Sequence, residues 1–140
     1  MKIPANRIVH GMSTTFQIIA VATGGAIGAL SRFAIATLIP SRLPGTHTSF
    51  PFATLTANIV GCLLIGLCYV WFVERTADEW TRKLIITGFL GALTTFSTFA
   101  LESFMLAEEG RVAVAVLYLL SSVVLGGLAT VMGIGIARLT

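Results

Sequence analysis

Charged side chains are scarce in this chain of 140 residues, because they make up 11% of it while hydrophobic residues make up 56%. A soluble domain carries about 25% charged residues, so the composition predicts an integral membrane protein. The mean hydropathy of +0.93 agrees with that assignment. The formal charge of +3 comes from basic residues that flank apolar segments instead of forming a stripe, so we expect no nucleic-acid partner.

The groupings of side chains that catalysis and metal binding need are also absent from the sequence. Cys62 and Cys68 lie six residues apart in one apolar segment, a spacing that suits neither a metal knuckle nor a disulfide within a helix. We interpret them as small apolar side chains, and His47 as a solvated loop residue. The sequence contains no catalytic serine–histidine–aspartate set, no paired carboxylates inside an apolar segment and no phosphate loop in a suitable context, so it does not support an enzyme.

Four apolar segments are long enough to cross a bilayer as helices, at about 1.5 Å per residue. They cover approximately residues 16–39, 52–73, 84–106 and 112–137. We therefore expect an all-α membrane protein that forms a single transmembrane domain over residues 1–140. The first apolar run is too long for a signal peptide, so we expect it to remain as a span.

The basic residues predict the orientation of these spans. With four spans, the side that holds both termini carries six of them: Lys2, Arg7, Arg75, Arg82, Lys83 and Arg138. The opposite side carries Arg42 and Arg111, and Arg32 lies within the adjoining half of the first span. The positive-inside rule then favours cytoplasmic termini in a multi-pass protein of the cell inner (plasma) membrane.

The first span contains Gly24 and Gly28 at the spacing that lets membrane helices pack closely. Arg32 follows one turn later, and a charge within a span is costly, by about 2.5–3.5 kcal/mol on insertion scales. Two interpretations stay open for Arg32. Its side chain either extends to the nearer interface, or it forms an electropositive vestibule or binds neighbouring carbonyls.

The stretch Gly88–Phe99 within the third span is unusual because it contains hydroxyls and glycines at membrane depth. In a continuous helix its hydroxyls would cover about 160° of the surface. They belong to Thr94, Thr95, Ser97 and Thr98. Such groups are tolerated where they are buried in protein or line a cavity. Hydroxyl donors and the ring edges of Phe96 and Phe99 suit a small anion, whereas carbonyls freed by a helix break suit Na⁺. The structural alternatives are hydroxyls bonded to their own helix and rings that only pack.

Three further donors lie in the second and fourth spans: Asn58, Tyr118 and Ser122. The Asn58 amide must find partners inside a bilayer, and either an interhelical hydrogen bond or a donor aimed at an anion would satisfy it. Four spans are too few to enclose a pore easily. We therefore expect an oligomer, for which a two-fold dimer is the commonest arrangement.

Three segments of the chain resemble the Fluc/CrcB family of fluoride channels. They are GGAIGALSR (Gly24–Arg32), TLTAN (Thr54–Asn58) and GFLGALTTFSTF (Gly88–Phe99). The resemblance implies a dimer of antiparallel subunits, with dual topology, in which two pores export fluoride passively. It also implies a third helix that is broken at its middle and a structural Na⁺ at the centre of the dimer.

The resemblance assigns roles to residues that match the family motifs. The backbone carbonyls of Gly91 and Thr94 would hold Na⁺, and Arg32 would lie at a vestibule. The expected fluoride pathway comprises Asn58 as a pore-facing donor, Phe96 and Phe99 as a phenylalanine box, and Ser97, Thr98, Tyr118 and Ser122 as a polar track. Gly126 stands where some members carry one more hydroxyl.

Other functions stay open at this point. The unequal distribution of basic residues suggests a heterodimer with an oppositely oriented paralogue, in which this chain could be a non-transporting subunit. A small four-helix, proton-coupled exporter of cationic drugs is a further alternative. Exporters of that kind need a carboxylate in the first span, and this first span contains no acidic residue.

Overall fold

The computed structural model describes residues 13–41, 49–74 and 78–140. The helices are α1 (Thr14–Leu38), α2 (Phe52–Cys68), α3, α4 (Phe96–Glu108) and α5 (Val112–Leu139). Helix α3 consists of three consecutive pieces, Glu79–Arg82, Lys83–Leu90 and Gly91–Leu93. The middle piece of α3 is π-helical, as is the segment Tyr69–Glu74 that continues α2.

The prediction of four helical spans is confirmed. The segments long and apolar enough to cross a membrane are Thr14–Leu38, Phe52–Phe72, Glu79–Glu108 and Val112–Leu139. The third span begins at Glu79, before the expected Leu84, because Asp78 caps it there. The Thr81 N–H donates to Asp78 Oδ1 over 2.8 Å. The hydrogen bond from the Thr81 hydroxyl to Asp78 Oδ2, and after it the backbone bond, lowers the pKa of the Asp78 carboxyl.

Local sequence accounts for the other helix ends. Pro40 follows α1 and Pro51 precedes α2, and both positions suit a residue that cannot donate a helical hydrogen bond. Gly110 turns the chain between α4 and α5 with φ of 75°, a conformation that favours glycine. We call the membrane side that carries this turn and the α1–α2 connection the loop side, and the opposite side the terminal side.

Glycines bring α1 and α3 into close contact. A β-carbon at Gly24 would collide with the Leu84 carbonyl, and one at Gly28 would collide with the Phe89 carbonyl. Gly88 faces the Val21 carbonyl from the opposite helix. The predicted packing role of Gly24 and Gly28 is therefore confirmed, and it relies on backbone approach, as membrane helices require.

Helices α2 and α5 form a second close pair. Gly66 lies against the Thr130 carbonyl of α5, and Gly133 lies against the Leu63 carbonyl of α2. Helix α4 packs on α5 through a buried apolar cluster. The cluster comprises Phe99, Leu106, Ala115 and Tyr118. Helix α4 thus packs on the α2–α5 pair, and the middle of the third span lies beside α2.

The described residues only partly cover the charge pattern. Lys2, Arg7, His10, Arg42, His47 and Arg75 lie outside them. On the terminal side, Arg138 donates to Glu74 and joins the end of α5 to the end of the π-helical segment that continues α2. Cys62 and Cys68 are both free thiols.

Candidate functional site

The third span is interrupted at two residues near its middle. Thr94 (φ −82°, ψ 156°) and Thr95 (φ −149°, ψ 122°) both have extended backbones between α3 and α4. The hydroxyls therefore do not form the arc that a continuous helix would give, because Thr94 and Thr95 lie between two helices. The broken third helix that the family resemblance implies is present.

Asn58 of α2 holds the interruption through two hydrogen bonds to one backbone unit. The Thr95 N–H donates to Asn58 Oδ1 over 2.9 Å, and Asn58 Nδ2 donates to the Thr95 carbonyl over 3.2 Å. The amide thus replaces helical partners that the break removes. One of the two N–H bonds of Nδ2 is used in this way, so the interhelical role of Asn58 leaves a second hydrogen for another acceptor.

The hydrogen bonds around the break leave carbonyls without their helical donors, among them those of Gly91 and Thr94. In a continuous α-helix, the Thr95 N–H would donate to the Gly91 carbonyl and the Thr98 N–H to the Thr94 carbonyl. Here the Thr95 N–H donates to Asn58, and the Thr98 N–H donates to Thr95 Oγ1 over 3.3 Å. Gly91 and Thr94 are the residues whose carbonyls the resemblance assigns to Na⁺.

Thr95 caps α4 with its side chain, a role that was not among those predicted from the sequence. Its hydroxyl accepts from the Thr98 N–H, donates to Thr98 Oγ1 over 3.1 Å and lies 3.4 Å from Ser97 Oγ. The signal was available in the sequence, because threonine is a common N-cap residue and Thr98 lies three positions later. The hydroxyls of the predicted polar track are therefore joined to one another at the start of α4.

A cavity of about 460 Å³ adjoins the break. Its lining combines residues of α2, α3, α4 and α5: Asn58, Gly61, Cys62, Ile65, Ile86, Leu90, Gly91, Thr94, Thr95, Phe96, Phe99, Ser122 and Val123. Within the part of the chain that the structure describes, the Ser122 hydroxyl is buried and has no hydrogen-bond partner. Buried donors are rarely unpaired in proteins, so Ser122 supplies an unused hydroxyl at this cavity.

The two phenylalanines of the cavity have different environments. Their ring centroids lie 5.8 Å apart, but Phe99 is 8% exposed whereas Phe96 is 80% exposed. Phe99 packs edge-on against Tyr118, with a centroid distance of 5.1 Å and an interplanar angle of 62°. Phe99 thus lies inside the subunit, and Phe96 projects from its surface.

A carboxylate within the third span binds the hydroxyls of two other helices. Glu102 Oε1 accepts from Thr54 Oγ1 over 2.8 Å, and Glu102 Oε2 accepts from the Tyr118 hydroxyl over 2.8 Å. From sequence alone, the position of Glu102 near the end of the third span suggests only contact with water. Its partners were not predictable from spacing, because they depend on the relative depth of three helices.

The whole site falls within a region that matches a known family. A family model described as CrcB-like protein, Camphor Resistance (CrcB), matches residues 19–134, which is most of the chain. The chain belongs to the CrcB family.

Individual relatives support the CrcB assignment along most of the chain. A protein named fluoride-specific ion channel FluC from Stutzerimonas stutzeri is 46% identical over 121 residues, which cover 86% of this chain and 95% of the relative. Proteins with the same name from Nitratiruptor sp. and Saccharophagus degradans are 45% and 44% identical, and they cover 77% and 83% of this chain and 81% and 85% of their own lengths.

The structure brings together most residues that the CrcB resemblance singles out. Asn58, Phe96, Phe99 and Ser122 line the cavity, as do Gly91 and Thr94. Ser97 and Thr98 lie beside the break, and Tyr118 is reached through Phe99. Arg32 is half-buried near the loop-side end of α1 and does not line this cavity.

Proposed function

We propose that this chain is a fluoride channel that lowers cytoplasmic fluoride by passive export. The curated relatives carry the name of a fluoride-specific channel and match the chain over most of their lengths. The main observation behind the proposal is that two hydrogen-bond donors beside the broken third span have no acceptor among the described residues. These are the Ser122 hydroxyl and the second Asn58 N–H.

Fluoride is small and strongly hydrated, so a pathway must replace its water with other donors. In the proposed pathway Ser122 and Asn58 donate hydrogen bonds, and the positive ring edges of Phe96 and Phe99 face the ion. Ser97 and Thr98 extend the polar track at the start of α4. Tyr118 contributes through its ring contact with Phe99, because its hydroxyl is already bound to Glu102.

A second copy of the chain completes the pathway in this proposal. Polar groups at membrane depth are not left facing lipid, and the cavity that contains Asn58 and Ser122 adjoins the exposed ring of Phe96. An antiparallel partner over this face would enclose it and form the dimer. A heterodimer with a paralogue would also cover this cavity. We propose that the dimer lies in the cell inner membrane.

We further propose a structural Na⁺ at this interface. The carbonyls of Gly91 and Thr94, which lack their helical donors, fit a hard cation that prefers oxygen ligands. Among the described residues no cluster of histidine, cysteine or acidic side chains could hold a metal, so carbonyls are the suitable ligands. When bound, Na⁺ would supply positive charge beside the anion path. Arg32 is proposed to add positive charge at the vestibule.

Fluoride efflux from liposomes that contain the purified protein tests the channel. We expect fluoride to leave faster than from empty vesicles when valinomycin and K⁺ balance the charge and Na⁺ is present. Efflux at the rate of empty vesicles would contradict the proposal. A variant with Phe96→Ile is the matched control, because it should keep the assembled protein and lose flux.

A further inference from the structure

A continuous row of aromatic rings leads from the break towards the loop side. Beyond Phe96, Phe99 and Tyr118, the row continues to Phe50, whose ring packs edge-on against Tyr118 at 5.5 Å and 77°. Phe52 then packs on Phe50 with centroids 4.6 Å apart. Phe50 precedes α2 and was not singled out by the sequence.

Phe50 lies at a second cavity, separate from the one at the break. This cavity has a volume of about 250 Å³ and is lined by Ser41, Ser49, Phe50, Pro51, Glu102, Met105, Leu106 and Glu109. It reaches Glu102 from the loop side. Phe50 and Glu102 thus line the same cavity, and both contact Tyr118, Phe50 through the ring and Glu102 through the hydroxyl.

The backbone around Phe50 is fixed at several points. The Phe50 N–H donates over 2.8 Å to the carbonyl of Ser41, three residues after the end of α1, and the Phe52 N–H donates to the Phe50 carbonyl over 2.8 Å. Arg111 Nη2 donates to the Ser49 carbonyl over 2.7 Å. These bonds tie the segment to α1 and to the start of α5, so the ring is held over Tyr118 by the backbone as well as by packing.

We propose that Phe50 is a positioning residue of the anion path: its ring fixes that of Tyr118, and so holds the Tyr118 hydroxyl on Glu102. This inference rests on the proposed function. If Tyr118 turned away, Glu102 would lose one of its two hydroxyl donors and Phe99 would lose its edge-on neighbour. Edge-to-face ring pairs favour one relative orientation, and an aliphatic side chain of similar size at residue 50 cannot impose it.

The first test measures the position of Tyr118 directly. The chain has two tyrosines, so ¹³Cζ-tyrosine labelling with a Tyr69→Phe variant assigns the Tyr118 NMR signal. We expect Phe50→Leu to shift or broaden this signal and Phe50→Trp to restore it. Phe52→Leu is the matched control, because in the ring contacts of the described residues Phe52 packs on Phe50 alone.

The second test measures fluoride efflux in the same variants. Phe50→Leu should lower efflux about fivefold, the order expected for loss of one aromatic pair, and Phe50→Trp should recover most of it.

Arg111→Gln tests the backbone contacts around Phe50, because it removes the hydrogen bond to the Ser49 carbonyl without altering a ring. It should move the Tyr118 signal in the same direction, whereas Glu109→Gln, which removes only the partner of Arg111 in an ion pair, should not.

The inference is overturned if Phe50→Leu leaves both the Tyr118 signal and the efflux at wild-type values. It is also overturned if Phe52→Leu changes both as strongly as Phe50→Leu does. A wild-type protein that shows no fluoride efflux would contradict the proposed channel instead. The NMR comparison would still decide whether Phe50 fixes the position of Tyr118.

Discussion

At the scale of single residues, the side chains beside the break have two roles. Some bind the backbone of the break, and some have an N–H or O–H group without an acceptor among the described residues. Asn58 does both, since it binds the Thr95 backbone and keeps one N–H. Ser122 belongs to the second group, because its buried hydroxyl has no partner among the described residues. Substitutions at the two residues should therefore have different effects on stability and on ion flux.

Removal of the Ser122 hydroxyl should lower flux without destabilising the protein. Ser122→Ala breaks no hydrogen bond between described residues, so its melting temperature should stay at the wild-type value or rise. Efflux of fluoride should fall by about fivefold to tenfold, as for the loss of one hydrogen bond to the ion. Ser121→Ala is the control, because the Ser121 hydroxyl donates to the Tyr118 carbonyl. Equal flux in the two variants would contradict a role for Ser122 in the path.

Asn58→Ala should lower both stability and flux. It removes two hydrogen bonds and leaves the Thr95 N–H and carbonyl without them, which should cost about 1–3 kcal/mol of unfolding free energy. Thermal denaturation in detergent checks this result against Thr56→Ala, which lies on the same helix outside the cavity lining. A melting temperature equal to that of Thr56→Ala would show that Asn58 does not hold the break.

At the scale of helices, the close approach of α1 to α3 positions the break. Gly24 and Gly28 contact the Leu84 and Phe89 carbonyls of α3, which precede the extended residue Thr94 by about three and about one and a half helical turns, respectively. The π-helical middle of α3 lies in this contact. Wide helical turns of this kind are frequent at functional sites.

Gly24→Ala should separate α1 from α3 and reduce the yield of folded protein. Its β-carbon would collide with the Leu84 carbonyl, which is backbone and cannot turn aside, and overpacking of this kind costs about 1–3 kcal/mol. Size-exclusion chromatography and thermal denaturation measure the effect. Gly25→Ala is the matched control, because its β-carbon would meet the Gly88 carbonyl at an ordinary 3.9 Å. Similar behaviour of the two variants would argue against this contact.

The four spans and the small-residue face of α1 could be predicted from hydropathy and from the spacing of Gly24 and Gly28. The break at Thr94 and Thr95 followed only from the family resemblance, since the residues alone were compatible with a continuous helix. The partners of Glu102 could not be predicted at all. Helical periodicity gives the direction of a side chain but not the relative depth of two helices, and this depth decides that Thr54 and Tyr118 reach Glu102.

At the scale of the whole molecule, the proposed channel depends on assembly. A single chain leaves Phe96 80% exposed beside a cavity that contains polar groups, so the subunit should associate. We expect single-molecule photobleaching in liposomes to show two subunits per particle. A population of single subunits that still conducts fluoride would contradict the shared interface.

The proposed Na⁺ gives a second prediction at this scale. Replacement of Na⁺ by N-methyl-D-glucamine during purification and assay should lower fluoride efflux, because the carbonyls of Gly91 and Thr94 would no longer bind a cation. Restoration of Na⁺ should recover the flux. Efflux that does not depend on Na⁺ would contradict a structural cation at the break and would leave the anion pathway as proposed.

The most direct measurement of the central claim is the current through the purified protein in a planar bilayer with a fluoride gradient. For a passive, fluoride-selective channel we expect the current to reverse at the fluoride equilibrium potential. The reversal potential should stay constant when chloride is added to one side. Absence of current, or a reversal potential that follows chloride or the cations, would contradict the account.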